Sequence, residues 1–380
     1  MKVILFLLLF AMLLNAFENK SSLSIKHINY DKFSDETIVK GNSKLKLHND
    51  IFKADATVEY LYSNEYKERR YIILNELFVT KEYKDYSFTL GKIIKYWGEL
   101  EGFNIADVYN QKNHLLDAFD NSAKLGSIGL HVTKYFDEDS LEFGVKFYEQ
   151  DVKYSFISNY DKELSYSDER DTPTLHLMYS FATDKSFESE TKLILLHGYD
   201  NKRYFIPKNQ TTLSQYAYRV NKLLFLSNLI YKETILKCEA SYTDVISDEN
   251  MSNYAQLSFG LENNFYDILD IDIGFYLEYY SYLYAQDEKI KNVDISEIYN
   301  DDIFLALKLD LTDTRNSEIK GGILYDLKNT EKVFKVEAKS RVIDNLVVDA
   351  QYLQVLSEQN TLLYKLGYST RVILGLTYTF

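Results

Sequence analysis

The residue types that most often carry chemistry are few in this sequence and lie far apart. A single cysteine, Cys238, excludes a disulfide framework and a cysteine metal cluster. The histidines show neither a two-histidine helix motif nor the spacing of metal ligands, so we interpret them as solvated or lumen-lining side chains. They are His27, His48, His114, His131, His176 and His197. With no nucleophile elbow, phosphate loop or dinucleotide fingerprint in the sequence, we expect no enzymatic activity, metal or cofactor.

Polar and charged side chains are instead concentrated in residues 91–113, which read GKIIKYWGELEGFNIADVYNQKN. This stretch contains the only tryptophan, followed by a glycine, and it mixes acids and bases. Such side chains suit the constriction of a pore or the anchoring of a loop. The candidate residues are Lys92, Lys95, Trp97, Glu99, Glu101, Asp107, Asn110 and Lys112.

The elements that hold this stretch are predicted to be β-strands, because side chains alternate with period two along nearly the whole chain. We predict seventeen strands from residue 36 onward, at 36–48, 52–64, 70–81, 86–97, 126–135, 140–149, 173–183, 189–198, 216–231, 233–245, 253–264, 269–282, 302–313, 316–328, 331–343, 346–357 and 370–380. A soluble β-sandwich shows the same alternation, but it does not need strands this long and this many.

The connections between these strands predict the topology. The long ones all fall on alternate junctions, at 98–125, 150–172, 199–215, 246–252, 283–301 and 358–369, and the others are short turns. Long outer loops and short periplasmic turns are typical of outer-membrane barrels. Both chain ends then lie in the periplasm, which requires an even number of strands. The weakly alternating residues 23–30 supply one more strand, which gives a transmembrane antiparallel β-barrel of about eighteen strands (16–18).

The composition agrees with a barrel, since the 380 residues include 34 tyrosines, 23 phenylalanines and two prolines. The net charge of −14 argues against a nucleic-acid partner. Residues 1–16, MKVILFLLLFAMLLNA, predict a signal peptide cleaved after Ala16, because the apolar run is too short to span a membrane. The alternative is a buried or interfacial helix. Residues 17–380 are predicted to form one barrel domain.

The last eleven residues, TRVILGLTYTF, place Val372, Leu374, Leu376, Tyr378 and Phe380 on one strand face. They resemble the carboxy-terminal strand by which bacterial outer-membrane barrels are recognised for assembly. The resemblance implies the barrel-assembly machinery as a partner, through the strand that ends at Phe380. An apolar edge strand is an aggregation hazard in water, and closure into a barrel removes it.

Residues 91–113 extend this likeness to a family of porin-like proteobacterial outer-membrane barrels. Members carry a Gly-Arg-Gln strand that ends in Trp-Gly, and then a loop with Gly, Asp and Asn-Pro. The matching positions are Gly91, Trp97, Gly98, Gly102, Asp107 and Asn110, whereas Lys92 and Gln111 depart from the pattern. The resemblance implies a channel or transport protein and makes Asp107 and Asn110 the first candidates for loop anchoring or solute contact. An ion pair between Asp107 and a wall cation such as Lys92 or Lys95 is an equal alternative.

The loop that follows Trp97 contains many apolar residues, among them Phe103, Ile105 and Val108. We expect it to fold into the lumen, where the wall buries these groups; packing on the outer rim is the alternative. Trp97 itself is expected to end its strand near a membrane interface, with its N–H in water.

The function expected from these features is a passive porin-like channel in the bacterial outer membrane for small hydrophilic solutes. Lipid and lipopolysaccharide are the expected surroundings, and acidic outer loops favour a weak preference for cations. Two alternatives stay open: export of a polymer or a hydrophobic compound, and a purely structural or adhesive barrel. The oligomeric state does not follow from the sequence.

Overall fold

A computed structural model describes residues 18–113, 115, 119–151, 160–183, 187–207, 213–246, 248–284, 294–295, 299–329, 331–358, 363 and 369–380. The predicted signal peptide lies outside these residues. A 3-10 helix spans Lys67–Arg69. Within the described ranges, no helix has the length and apolar character needed to cross a membrane.

Twenty-two β-strands follow one another in the described part of the chain. They are β1 (Glu18–Tyr30), β2 (Glu36–His48), β3 (Lys53–Ser63), β4 (Tyr71–Tyr83), β5 (Tyr86–Ile93), β6 (Ser127–Phe136), β7 (Asp139–Lys146), β8 (Tyr160–Tyr166), β9 (Thr174–Thr183), β10 (Glu188–Tyr199), β11 (Tyr204–Pro207), β12 (Leu213–Ala217), β13 (Arg219–Tyr231), β14 (Thr234–Val245), β15 (Tyr254–Phe265), β16 (Asp272–Tyr284), β17 (Asp294–Ile295), β18 (Asp302–Asp310), β19 (Glu318–Asp326), β20 (Lys332–Ile343), β21 (Leu346–Leu356) and β22 (Arg371–Thr379).

Eighteen of these strands form one closed antiparallel barrel, and four short ones form a separate sheet. Each barrel strand pairs with its neighbours along the chain, and the circle closes between β1 and β22, where Leu23 lies opposite Tyr378. Closure leaves the eighteen-stranded sheet without an open edge. The predicted eighteen-stranded barrel is therefore confirmed. Its first strand begins at Glu18, five residues before the predicted start at Leu23.

The alternation of side chains gives the barrel wall an outer face and an inner face of different character. On β22, Val372, Leu374 and Leu376 point outward and are 40–56% exposed, whereas Arg371 and Ile373 point inward and are buried. Large apolar side chains are exposed on the outer face of many other strands as well. Water does not tolerate an apolar surface of this extent, but the hydrocarbon core of a membrane does.

The two rims of the barrel differ in the length of their connections. An even number of strands places the start of β1 and the end of β22 at one rim, and there the turns are short, as at residues 84–85, 137–138, 232–233 and 344–345. The opposite rim carries the longest connections, at residues 94–126, 147–173, 200–218 and 285–301. This asymmetry follows the sequence-based prediction.

The separate four-stranded sheet consists of β8, β11, β12 and β17, which come from three of the long connections. β12 pairs in parallel with β8 and antiparallel with β11, and β11 pairs with β17. These residues were predicted mostly as connections between barrel strands, and the short strands within the connections were not predicted. The parallel pair of β8 and β12 joins distant segments without a hairpin turn, so no local turn signal predicts it.

Candidate functional site inside the barrel

The stretch with the candidate residues leaves the barrel wall earlier than predicted. β5 ends at Ile93 and not at Trp97. Just before this point, Gly91 has a φ of +139°, and a Cβ atom there would lie 2.2 Å from the carbonyl oxygen of Leu77. The strands approach so closely here that only glycine fits. Residues 94–126, here called the inward loop, then fold into the lumen; residues 114 and 116–118 of this loop lie outside the described residues.

Asn110 connects the two ends of the inward loop. Its side-chain oxygen accepts a hydrogen bond of 2.7 Å from the backbone N–H of Lys95. Its side-chain nitrogen donates to the carbonyl oxygens of Ile93 and Leu125, at 3.0 Å each, and lies 3.2 Å from the hydroxyl of Ser127. Ile93 and Ser127 are the last and first residues of the adjacent strands β5 and β6. One buried amide therefore holds the base of the loop to the wall.

Asp107 forms a buried ion pair with Lys124, at the other end of the same loop. Its carboxylate also accepts a hydrogen bond of 3.2 Å from the backbone N–H of Trp97. Burial lowers the pKa of the Lys124 ammonium, although the Asp107 carboxylate opposes that change. The wall cations that the sequence suggested as partners of Asp107 bind elsewhere: Lys95 pairs with Glu142, and Lys92 donates to the carbonyl oxygen of Leu74.

Two glutamates of the wall bind the backbone of the inward loop. The carboxylate of Glu239 on β14 accepts hydrogen bonds from the N–H groups of Glu99 and Ala106, at 2.7 and 3.0 Å. The carboxylate of Glu278 on β16 accepts from the N–H groups of Glu101 and Gly102, at 2.7 and 2.9 Å. Sequence reasoning missed both glutamates, because a glutamate at an inward strand position gives no sign of whether water or a loop will contact it.

The remaining candidates also contact the wall or the loop. The Glu99 carboxylate forms an ion pair with the ammonium group of Lys192 on β10, at 2.8 Å. Glu101 forms an ion pair with Lys320 on β19. The ammonium group of Lys112 lies 3.3 Å from the side-chain oxygen of Asn121, within the inward loop.

Trp97 is buried in the lumen and does not lie at a membrane interface, so that expectation was wrong. Its ring centroid lies 5.3 Å from that of Tyr109 and 5.0 Å from that of His176. The cause is the early end of β5, which carries the indole inward with the loop.

Apolar packing explains why the loop lies inside and not on the rim. Ala106 and Val108 of the loop belong to a buried cluster with inward-facing residues of β10 and β13, among them Ile194 and Leu224. The side chain of Leu100 packs in a second buried cluster with wall residues. A polar lumen would leave these wall side chains in water, and the loop covers them.

A cavity of about 540 Å³ remains between the inward loop and the wall strands β1–β3 and β18–β22. Its charged lining consists of five basic and three acidic side chains, a net charge of +2; these are Lys26, Lys40, Lys320, Lys335, Arg371, Glu101, Asp120 and Glu337. The inward loop contributes residues 101–102 and 119–122 to this lining. The loop therefore narrows the lumen from one side.

Comparisons with known proteins support the barrel at the level of the fold. No protein-family model matches this sequence, and no curated protein matches it by sequence. OccK3 (OpdO) of Pseudomonas aeruginosa is similar with a TM-score of 0.58 and 12% identity, covering 98% of this chain and 97% of that chain. Wzi of Escherichia coli, described as an outer membrane protein involved in group 1 capsule assembly and a carbohydrate-binding β-barrel, has a TM-score of 0.59 and 8% identity, with 100% and 88% covered.

A third similar structure is OpdK of Pseudomonas aeruginosa with vanillate, with a TM-score of 0.51, 9% identity, and 97% and 99% of the two chains covered. At these identities the likeness concerns the fold. That fold is the bacterial outer-membrane β-barrel, as the sequence predicted.

Proposed function

We propose that this protein is a porin-like channel of the bacterial outer membrane, through which small hydrophilic solutes pass passively. The observation that carries the proposal is the cavity of about 540 Å³ between the inward loop and the opposite wall. Its volume falls in the range of small-molecule sites, and its charged side chains stabilise polar solutes and water. The similar barrel of OpdK, whose structure contains vanillate, is consistent with passage of a small solute.

The charges of the cavity favour a weak preference for anions. The net charge of its lining is +2, and low-dielectric walls focus the field at a narrow point. The acidic outer loops, from which the sequence suggested a weak cation preference, are more exposed to screening by salt. We therefore expect the narrowest part of the lumen to determine the sign of the selectivity.

Single-channel conductance in planar bilayers tests the proposal. The mature, folded protein is expected to form discrete conducting steps, and a permeating solute is expected to reduce them while it occupies the cavity. Folding is checked independently by the change in electrophoretic mobility on heating. A correctly folded barrel that does not conduct ions contradicts the channel and favours the structural or adhesive alternative.

We also infer the orientation in the membrane: the short-turn rim and both chain ends face the periplasm, and the long connections face lipopolysaccharide. In this orientation the strand that ends at Phe380 is accessible to the barrel-assembly machinery. In a Cys238→Ser background, Ser167→Cys is expected to react with a membrane-impermeant maleimide on whole cells, and Asp139→Cys only after permeabilisation. The reverse pattern would exclude this orientation. Ser296, which the sequence also suggests for labelling, lies outside the described residues.

A further inference from the structure

Two of the histidines that the sequence shows as scattered come together on the inner wall. His131 on β6 and His176 on β9 both lie opposite Gly144 of the intervening strand β7. Glu142 lies two residues before Gly144 on the same strand, so its side chain also points inward. Both histidines are 98% buried, and Glu142 is 94% buried.

The three side chains converge on one point. Nδ1 of His131 lies 3.5 Å, and Nε2 of His176 lies 2.8 Å, from the same carboxylate oxygen of Glu142. One ligand atom from each residue can be chosen so that all three lie within 4.8 Å of one another. Bonds of about 2.0–2.2 Å to a tetrahedral metal place ligand atoms roughly 3.3 Å apart. The cluster therefore needs only small side-chain movements to reach metal-binding distances.

The surroundings of the cluster orient the histidines and leave them space. The hydroxyl of Tyr109 lies 3.1 Å from Nε2 of His131, which leaves Nδ1 of that ring to face Glu142. Such an outer hydrogen bond is the usual means of orienting a metal-binding imidazole. A Cβ atom at Gly144 would lie 2.7 Å from Nδ1 of each histidine, so glycine leaves room beside both rings.

The hydrogen bonding of the cluster is incomplete. Within the described part of the chain, Nδ1 of His131 and Nδ1 of His176 are buried and form no hydrogen bond. Buried polar atoms usually have a partner, so two unbonded imidazole nitrogens beside a buried carboxylate are available as ligands of a cation. Imidazole nitrogens with a carboxylate are a donor set that suits Zn²⁺ and neighbouring transition metals.

We propose that His131, Glu142 and His176 form a binding site for a first-row transition-metal cation such as Zn²⁺ on the inner wall of the barrel. The ammonium group of Lys95 pairs with Glu142 and competes with the metal for the carboxylate. Lys95, Trp97 and Tyr109 belong to the inward loop, so the cation binds where the loop meets the wall. The indole of Trp97, 5.0 Å from the His176 ring, reports on this site, and it is the only tryptophan of the chain.

The first test uses the unaltered mature protein, folded in detergent and freed of metal by a chelator. Zn²⁺ is expected to bind at one ion per chain in a calorimetric titration and to change the fluorescence of Trp97. X-ray absorption of the zinc-loaded protein is expected to show two imidazole ligands. A spectrum with one imidazole or none, or the absence of saturable binding, overturns the proposal.

The second test uses variants. His131→Ala and His176→Ala are expected to weaken Zn²⁺ binding by more than about 100-fold, because a lost ligand costs more than a lost outer partner. The matched control is His197→Ala, an exposed histidine bonded to Asn221. The Zn²⁺ affinity of His197→Ala is expected to equal that of the wild type. Lys95→Met removes the competing charge and is expected to tighten binding by about tenfold.

These variants separate the proposed site from adventitious binding at exposed acidic groups. Equal affinity in the wild type, His131→Ala and His176→Ala would place the ion elsewhere and contradict the proposal. Each variant is compared only after heat-modified mobility shows that it is folded. If a histidine variant does not fold, the imidazole count of the wild-type protein still decides the question.

Discussion

The two halves of the lumen are made of the same alternating strands, yet the surroundings of their inward side chains differ. In the packed half, formed by β4–β7, β9, β10 and β13–β16, inward apolar residues such as Ile194 and Leu224 are fully buried beneath the inward loop. In the open half, formed by β1–β3 and β18–β22, inward charges share the cavity lining with apolar residues such as Leu324 and Ile373, and Lys26 pairs with Asp349 at 3.0 Å.

The difference shows that the inward side chains of the wall determine where the lumen stays open. Apolar side chains on an inner wall lose free energy when water covers them, so a loop with matching apolar groups packs there. Carboxylates such as Glu239 then bind the backbone N–H groups that the loop brings inside. Charged side chains on the opposite wall retain water, and the space beside them stays open.

The largest expected effect comes from removing the packing altogether. Ile93 and Ser127 are paired neighbours, so residues 96–124 can be replaced by a short Gly/Ser turn. We expect the shortened protein to fold and its single-channel conductance to rise about twofold or more, because the lumen of an eighteen-stranded barrel is otherwise wide. An unchanged conductance in a folded protein would show that the loop does not set the opening.

Ion pairs provide a sharper comparison between the halves. Asp107→Ala leaves the buried Lys124 without its carboxylate and is expected to lower the free energy of unfolding by about 3 kcal/mol. The matched variant in the open half, Asp349→Ala, breaks a solvated pair and is expected to cost less than about 1 kcal/mol. Urea unfolding in micelles measures both. Similar losses in the two variants would remove the distinction between the halves.

Asn110→Ala tests the base of the inward loop. The change removes hydrogen bonds to both ends of the loop and is expected to cost about 2 kcal/mol, with larger fluctuations of the open-channel current. Asn42→Ala, at a half-buried position of β2 in the open half, is the control and is expected to change stability by less than about 0.5 kcal/mol. An open-channel current in Asn110→Ala that fluctuates no more than in the wild type would indicate that other contacts hold the loop.

The smallest effect concerns selectivity. Lys40→Gln removes one basic side chain from the cavity lining and is expected to make the channel slightly less anion-selective, measured as a reversal potential under a salt gradient. Lys237→Gln, in the packed half, removes a lysine that pairs with Glu262 at 2.7 Å and is expected to leave the reversal potential unchanged. A larger shift in the control than in Lys40→Gln would mean that the cavity is not the path of the ions.

Much of the wall could be predicted because its signal is local. The outward row on β22 is visible as alternating letters in the sequence, and the same pattern marks nearly every strand to within a few residues. The inward course of the loop also has a local signal, since a long loop rich in apolar groups needs cover. Trp97 was misplaced because β5 ends at Ile93, where the chain turns inward. Asn110 holds this turn by a hydrogen bond to Ile93, and a contact between residues seventeen positions apart gives no local signal.

The sequence by itself determined the barrel, its number of strands and the asymmetry of its rims, because side-chain alternation and connection length depend only on near neighbours. The tertiary structure decided which wall residues the loop meets. The contact between Glu99 and Glu239 joins residues 140 positions apart, and that between Glu101 and Glu278 joins residues 177 apart. Strand register likewise decided that His131 and His176 lie side by side, because both pair with Gly144. Barrel closure and strand register determine these contacts, and neither property can be read from any single stretch of the chain.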